Sequence, residues 1–125
     1  MSDKLIFFVD DDPMFINLLE YTFKGKTGYV SKAFATGEEC VEHLHLNPSL
    51  VVVDFHLDNS PPEMTGLDVV RAIKRQQPSL PVIILSGNND KATIDDCMRA
   101  GATGYIVKDG YFIDHLTESI FKILP

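Results

Sequence analysis

Residues 50–54 read LVVVD: four apolar residues, three of them β-branched, running straight into one carboxylate. An apolar run without alternation fits a strand buried on both faces, as in a parallel sheet covered by helices. Asp54 then leaves the core at the carboxyl edge of the strand, where open α/β sheets build their sites. Three other bare apolar runs also end in reactive side chains. Leu5–Val9 leads into Asp10-Asp11-Asp12, Val82–Leu85 into Ser86, and Gly104–Val107 into Lys108.

The intervening segments read as helices. Pro13–Lys24 opens with a proline suited to a first turn, behind Asp12 as N-cap, and Ile16, Leu19 and Phe23 mark its core stripe. Tyr29–Ala35 is partly polar, as an outer strand would be. Thr36 and Glu39 have capping-box spacing and open a helix expected to reach about Leu46. Leu67–Gln76, Lys91–Ala100 and Tyr111–Leu124 complete the set, with apolar faces at Val69, Val70 and Ile73 and at Ile113, Leu116, Ile120 and Ile123. Five strands alternating with five helices predict an α/β, doubly wound parallel sheet. Right-handed crossovers leave few topologies, of which the flavodoxin-like order 2-1-3-4-5 is the expectation. That order makes strands one and three neighbours, so Asp10–Asp12 and Asp54 converge, with Ser86 and Lys108 on the same rim.

The 125 residues suffice for one domain with one core, taken as residues 1–125. A formal charge of −7 argues against direct binding of nucleic acid or an anionic membrane surface. Neither a membrane-spanning apolar stretch nor a signal peptide is legible, so the expected location is cytoplasmic. Cys40 and Cys97 have no CxxC spacing and read as reduced, packed thiols. His43, His45 and His115 have no metal-ligand spacing and read as surface residues of helices. Met14 and Phe15 lie off the first helix's core stripe, which leaves an apolar docking patch and ordinary scatter both open.

Several carboxylates at one sheet edge repel one another unless a cation intervenes. Oxygen ligands without nearby His or Cys suit Mg²⁺. Asp54 can then act as a nucleophile toward phosphorus, with Lys108 as a second cation and the Ser86 hydroxyl as a hydrogen-bond donor to a phosphoryl oxygen.

The motifs VDDDP, LVVVD, VIILS and GYIVK, in this order, resemble those of the receiver domains of bacterial two-component response regulators, over Leu5–Leu124. The resemblance implies that Asp54 accepts a phosphoryl group from a sensor histidine kinase or a histidine phosphotransfer protein. It implies Mg²⁺ on Asp11 and Asp54, with Asp10 nearby and the backbone carbonyl of His56 as a further ligand. It also implies switch roles for Ser86 and Tyr105, the conserved-type lysine at Lys108, and tuning of hydrolysis by His56 and Asn88. Such a domain catalyses only its own phosphorylation and dephosphorylation and passes the signal to a downstream effector protein or domain. The chain is then either a stand-alone regulator or the N-terminal part of a longer one.

Two departures stand out. Asp109-Gly110 follows the lysine where the family usually has proline, so a different loop path is expected. The stretch from Asp54 to Gly66 is longer than usual, through residues 58–62. Two other functions compete. A flavodoxin-like small-molecule binder would need a Gly/Ser/Thr-rich phosphate loop where this chain has DDDP. A small aspartate-nucleophile phosphatase using Asp10 and Asp12 would need additional chain for a cap.

Overall fold

In a computed structural model, residues 3–57 and 64–125 are described, and the 58–62 extension lies outside them. The strands are β1 (Lys4–Val9), β2 (Tyr29–Phe34), β3 (Leu50–Asp54), β4 (Val82–Ser86) and β5 (Gly104–Val107). The helices are α1 (Pro13–Lys24), α2 (Gly37–Glu42), α3 (Gly66–Gln76), α4 (Lys91–Ala100) and α5 (Phe112–Ile123). All neighbouring strands pair in parallel, in the order β2-β1-β3-β4-β5. This is the expected architecture.

Alternation along each strand sends successive side chains into two different cores. Phe7, Val9, Val51, Val53, Val82 and Ile84 pack with Cys40 of α2, with Val69, Val70 and Ile73 of α3 and with Cys97 of α4. Ile6, Phe8, Leu50, Val52, Ile83 and Leu85 pack on the opposite face, against Leu19 and Phe23 of α1 and Leu116 and Ile120 of α5. All five residues of β3 are buried, as are all five of β4. The two cysteines are free buried thiols. No helix among the described residues is long and apolar enough to cross a membrane.

The second helix departs from expectation. It ends at Glu42, and a single 3₁₀ turn (Leu44–Leu46) follows, closed by Asn47 in the left-handed conformation at φ 59°. The histidine rings take the place of helical hydrogen bonds here. His43 Nδ1 donates to the Glu39 carbonyl at 2.7 Å, and His45 Nδ1 to that of Glu42 at 3.0 Å. The tighter turn still buries Leu44 and sets His43 against Phe34, with ring centroids 5.0 Å apart.

The N-termini of α1, α2, α3 and α4 carry side-chain caps, with one exchange. Asp12 accepts from Met14 N–H, and Pro13 opens α1. Thr36 accepts from Glu39 N–H, but the return bond to its own N–H is replaced by a 3.4 Å contact between the two side chains. The complete capping box lies at α3 instead. Asp68 N–H donates to Thr65 Oγ1 at 3.2 Å, and Thr65 N–H to Asp68 Oδ2 at 3.1 Å.

Candidate functional site

The pairing of Val9 with Val53 fixes where the next residues emerge. Asp10 and Asp54 leave the sheet side by side, and a one-residue slip would turn their side chains to opposite faces. Asp10 is 2% exposed and Asp54 7%. Asp10 is held locally, because its Oδ1 accepts Asp12 N–H at 2.9 Å while Asp12 caps α1. Oxygens of Asp10, Asp11 and Asp54 all lie within 4.8 Å of one another.

Lys108 enters from β5. Its backbone N–H donates to the Ser86 carbonyl at 2.8 Å, and its Nζ lies 3.2 Å from Asp10 Oδ2 and 3.2 Å from Asp54 Oδ1. One ammonium among three carboxylates leaves the pocket negative. Hard oxygen donors at this spacing fit a divalent cation such as Mg²⁺.

Burial leads the pKa shifts of both buried acids. Burial, and then the charge of Asp10, push the Asp54 carboxyl up to about 6, against the opposing pull of Lys108 and of the His56 N–H that donates to it. Burial likewise raises Asp10, opposed by its bond from Asp12 N–H and by Lys108, with Asp11 adding to the rise.

A second cluster adjoins the first. The wholly buried Ser86 has its Oγ accepting Asn88 N–H at 3.0 Å. The Tyr105 hydroxyl donates to the Asn88 carbonyl, and burial raises its pKa against an opposing contribution from Ser86. The sequence-derived residues thus fall into two linked groups. Asp10, Asp11, Asp54 and Lys108 form one, with His56 joined through its N–H. Ser86, Asn88 and Tyr105 form the other, and the bond from Lys108 N–H to Ser86 connects them.

Two further participants were not legible as such. The Phe15 ring centroid lies 3.9 Å from Lys108 Nζ and 5.6 Å from the Phe112 ring. Its placement three residues beyond the N-cap Asp12, where α1 overhangs the sheet edge, was the available signal. Gly66 is the other. A Cβ there would stand 2.6 Å from the Asp54 carbonyl oxygen and 2.6 Å from Phe55 Cα. Gly66 N–H donates to the Phe55 carbonyl at 2.9 Å, bringing α3 directly onto the end of β3.

A parallel five-stranded sheet in this order gathers acids, a hydroxyl and a lysine at its carboxyl edge, where open α/β sheets place their sites. Residues 6–120 match the response regulator receiver domain family, and the chain belongs to it. It is 32% identical over 100 residues to the chemotaxis protein CheY of Thermotoga maritima, covering 78% of this chain and 80% of that protein. It is 34% identical over 109 residues to an NtrX-like response regulator of Rickettsia conorii, covering 86% of this chain. The chain spans only 22% of the length of that NtrX-like protein, and 16% of the LuxO luminescence regulator of Vibrio campbellii. The solved structure of the Vibrio cholerae chemotaxis protein CheY4 shares the fold at a TM-score of 0.86 and 21% identity, covering 98% of this chain and all of that one.

Proposed function

We propose that this chain is a single receiver domain over residues 1–125 whose phosphoacceptor is Asp54. In this reading a phosphohistidine on a sensor histidine kinase or histidine phosphotransfer protein is the donor. An oxygen of Asp54 forms a bond to phosphorus as the P–N bond breaks, and the electron pair of that bond stays on the departing imidazole. The acyl phosphate is later cleaved by water, which returns the carboxylate and inorganic phosphate. Asp10, Asp11 and Asp54, with the His56 carbonyl, are the residues that would hold Mg²⁺. A bound divalent cation supplies neutralisation of the charge on the transferring oxygens. Lys108 supplies a fixed cation facing the same carboxylate, and Ser86 supplies a hydroxyl for a phosphoryl oxygen.

The observation that supports this reading above others is the contact of Lys108 with both Asp10 and Asp54 at 3.2 Å, inside a triad of carboxylates. Phosphorylation would draw the Ser86 hydroxyl away from Asn88 and so loosen Tyr105, which shares that cluster. A downstream effector protein or domain then reads the repacked surface. The chemistry is confined to the domain's own phosphorylation and dephosphorylation, in the cytoplasm, with no metabolic substrate.

The rival readings fit less well. A phosphate-bearing cofactor needs a Gly/Ser/Thr-rich loop after the first strand, and three aspartates stand there instead. The deciding experiment is intact-mass measurement after incubation with Mg²⁺ and acetyl phosphate. One phosphoryl adduct on wild type that is absent from Asp54→Asn is the expected result. A phosphatase using Asp10 would keep its turnover in that variant.

A further inference from the structure

Lysine is a compact charge on a flexible stem, so two carboxylates alone do not determine where its ammonium rests. In this chain a third surface does. The Lys108 Nζ lies 3.9 Å from the Phe15 ring centroid, well inside the range of about 6 Å over which an aromatic ring attracts a cation. Two carboxylates and one ring thus meet the ammonium, and the Lys108 side chain is 13% exposed.

The ring is itself supported. Phe15 packs on Phe112, with centroids 5.6 Å apart, and Phe112 opens α5. Asp109, which stands where the family usually has proline, sets that helix start. Its carbonyl accepts Phe112 N–H at 3.3 Å, and its Oδ1 accepts Tyr111 N–H at 2.8 Å. The Asp109 side chain thus adds a bond to the turn that leads into Phe112.

Resting on the phosphoacceptor reading above, we infer that Phe15 is a positioning residue that holds the Lys108 ammonium over Asp54, with Phe112 as its brace. An aliphatic side chain of similar bulk keeps the packing and loses the attraction, because only the ring carries the quadrupole. Tyrosine keeps both.

The test compares wild type, Phe15→Leu and Phe15→Tyr in the full chain, with three measurements. These are the rate of phosphorylation by acetyl phosphate at saturating Mg²⁺, the Mg²⁺ dissociation constant, and the NMR shift of the Lys108 ε-methylene. Phe15→Leu is expected to slow phosphorylation about fivefold while Mg²⁺ affinity stays within about twofold. The ε-methylene should be shifted upfield by the ring in wild type and in Phe15→Tyr, and should lose that shift in Phe15→Leu. Phe15→Tyr should also keep the wild-type rate. Phe112→Leu removes only the brace; it should slow the reaction by a smaller factor, and it provides the rate test should Phe15→Leu fail to fold. A wild-type rate in the leucine variants overturns the inference, as does a Phe15→Tyr rate as slow as that of Phe15→Leu. An equal loss of Mg²⁺ affinity would indicate general disruption and overturn it too. A wild-type chain that takes up no phosphoryl group overturns the phosphoacceptor reading and this role with it, whereas the ring-current shift would still report the contact.

Discussion

Lys108 holds its ammonium 3.2 Å from an oxygen of Asp54, the same distance at which it meets Asp10. Two buried carboxylates thus share one cation, and each depends on it. Replacing Lys108 with methionine keeps much of the stem's packing and leaves both acids without that partner. The cation-free protein should lose about 1–3 kcal/mol, read from urea unfolding in the presence of a chelator. Adding Mg²⁺ should restore part of the loss. An unchanged midpoint would show that the contact contributes nothing to stability.

The raised pKa of Asp54 sets a pH dependence of unusual sign for a carboxylate. The native state holds this proton up to about pH 6, whereas an unfolded chain releases it near 3.8. Between those values the folded protein binds more protons, so stability from this group is full below the window and falls as pH rises through it. Burial of Asp10 acts in the same direction. Asp54→Asn should therefore be more stable than wild type at pH 7 without divalent cations, by up to about 3 kcal/mol, and should match it near pH 3.5. Urea midpoints for both proteins at the two pH values test this. A variant less stable than wild type at pH 7 would contradict it.

Binding of a divalent cation should reverse that penalty. At about one hundred times the dissociation constant, Mg²⁺ should stabilise wild type by about 2.7 kcal/mol relative to sodium chloride of equal ionic strength. Thermal unfolding of Asp11→Asn and Asp54→Asn should show most of the gain gone. A full gain in Asp11→Asn would remove that residue from the ligand set.

The close approach at Gly66 makes a backbone prediction. The atoms a Cβ would meet, the Asp54 carbonyl oxygen and Phe55 Cα at 2.6 Å, are main chain and cannot swing aside. Gly66→Ala should cost about 2–4 kcal/mol and slow phosphorylation, because relief requires moving the end of β3. Thr65→Val, one residue earlier, removes only the cap and should cost about 1 kcal/mol with little change in phosphorylation rate. Urea unfolding and adduct formation, measured together, separate the two effects. Equal costs for both variants would argue that the glycine contact is relieved without moving the strand.

Much of this molecule was legible because parallel strands carry their pattern in the chain itself. LVVVD and VIILS are buried throughout, so their apolar runs end where the strands end, and the side chain that follows is at the edge. Asp10, Asp54 and Lys108 could be gathered from strand order alone. The end of the second helix could not, since His43 and His45 terminate it through ring-to-carbonyl bonds that helix propensity does not encode. Phe15 was visible only as an apolar residue off the core stripe. Its contact with Lys108 joins residues 93 positions apart in sequence, and no local pattern specifies the reach of two side chains across a sheet edge. The capping box at Thr65 and Asp68 has the spacing of the motif, but the spacing alone does not distinguish it from the one at Thr36 and Glu39, where the return bond is not made.

The bond from Gly66 N–H to the Phe55 carbonyl works as a clasp at the base of the connection between β3 and α3. A loop pinned at its neck can change in length without shifting what it joins, and each doubling of its length adds only about 0.6 kcal/mol of closure entropy. Added length between Phe55 and Gly66 is therefore cheap for this fold, because the bond keeps the two ends of the connection together.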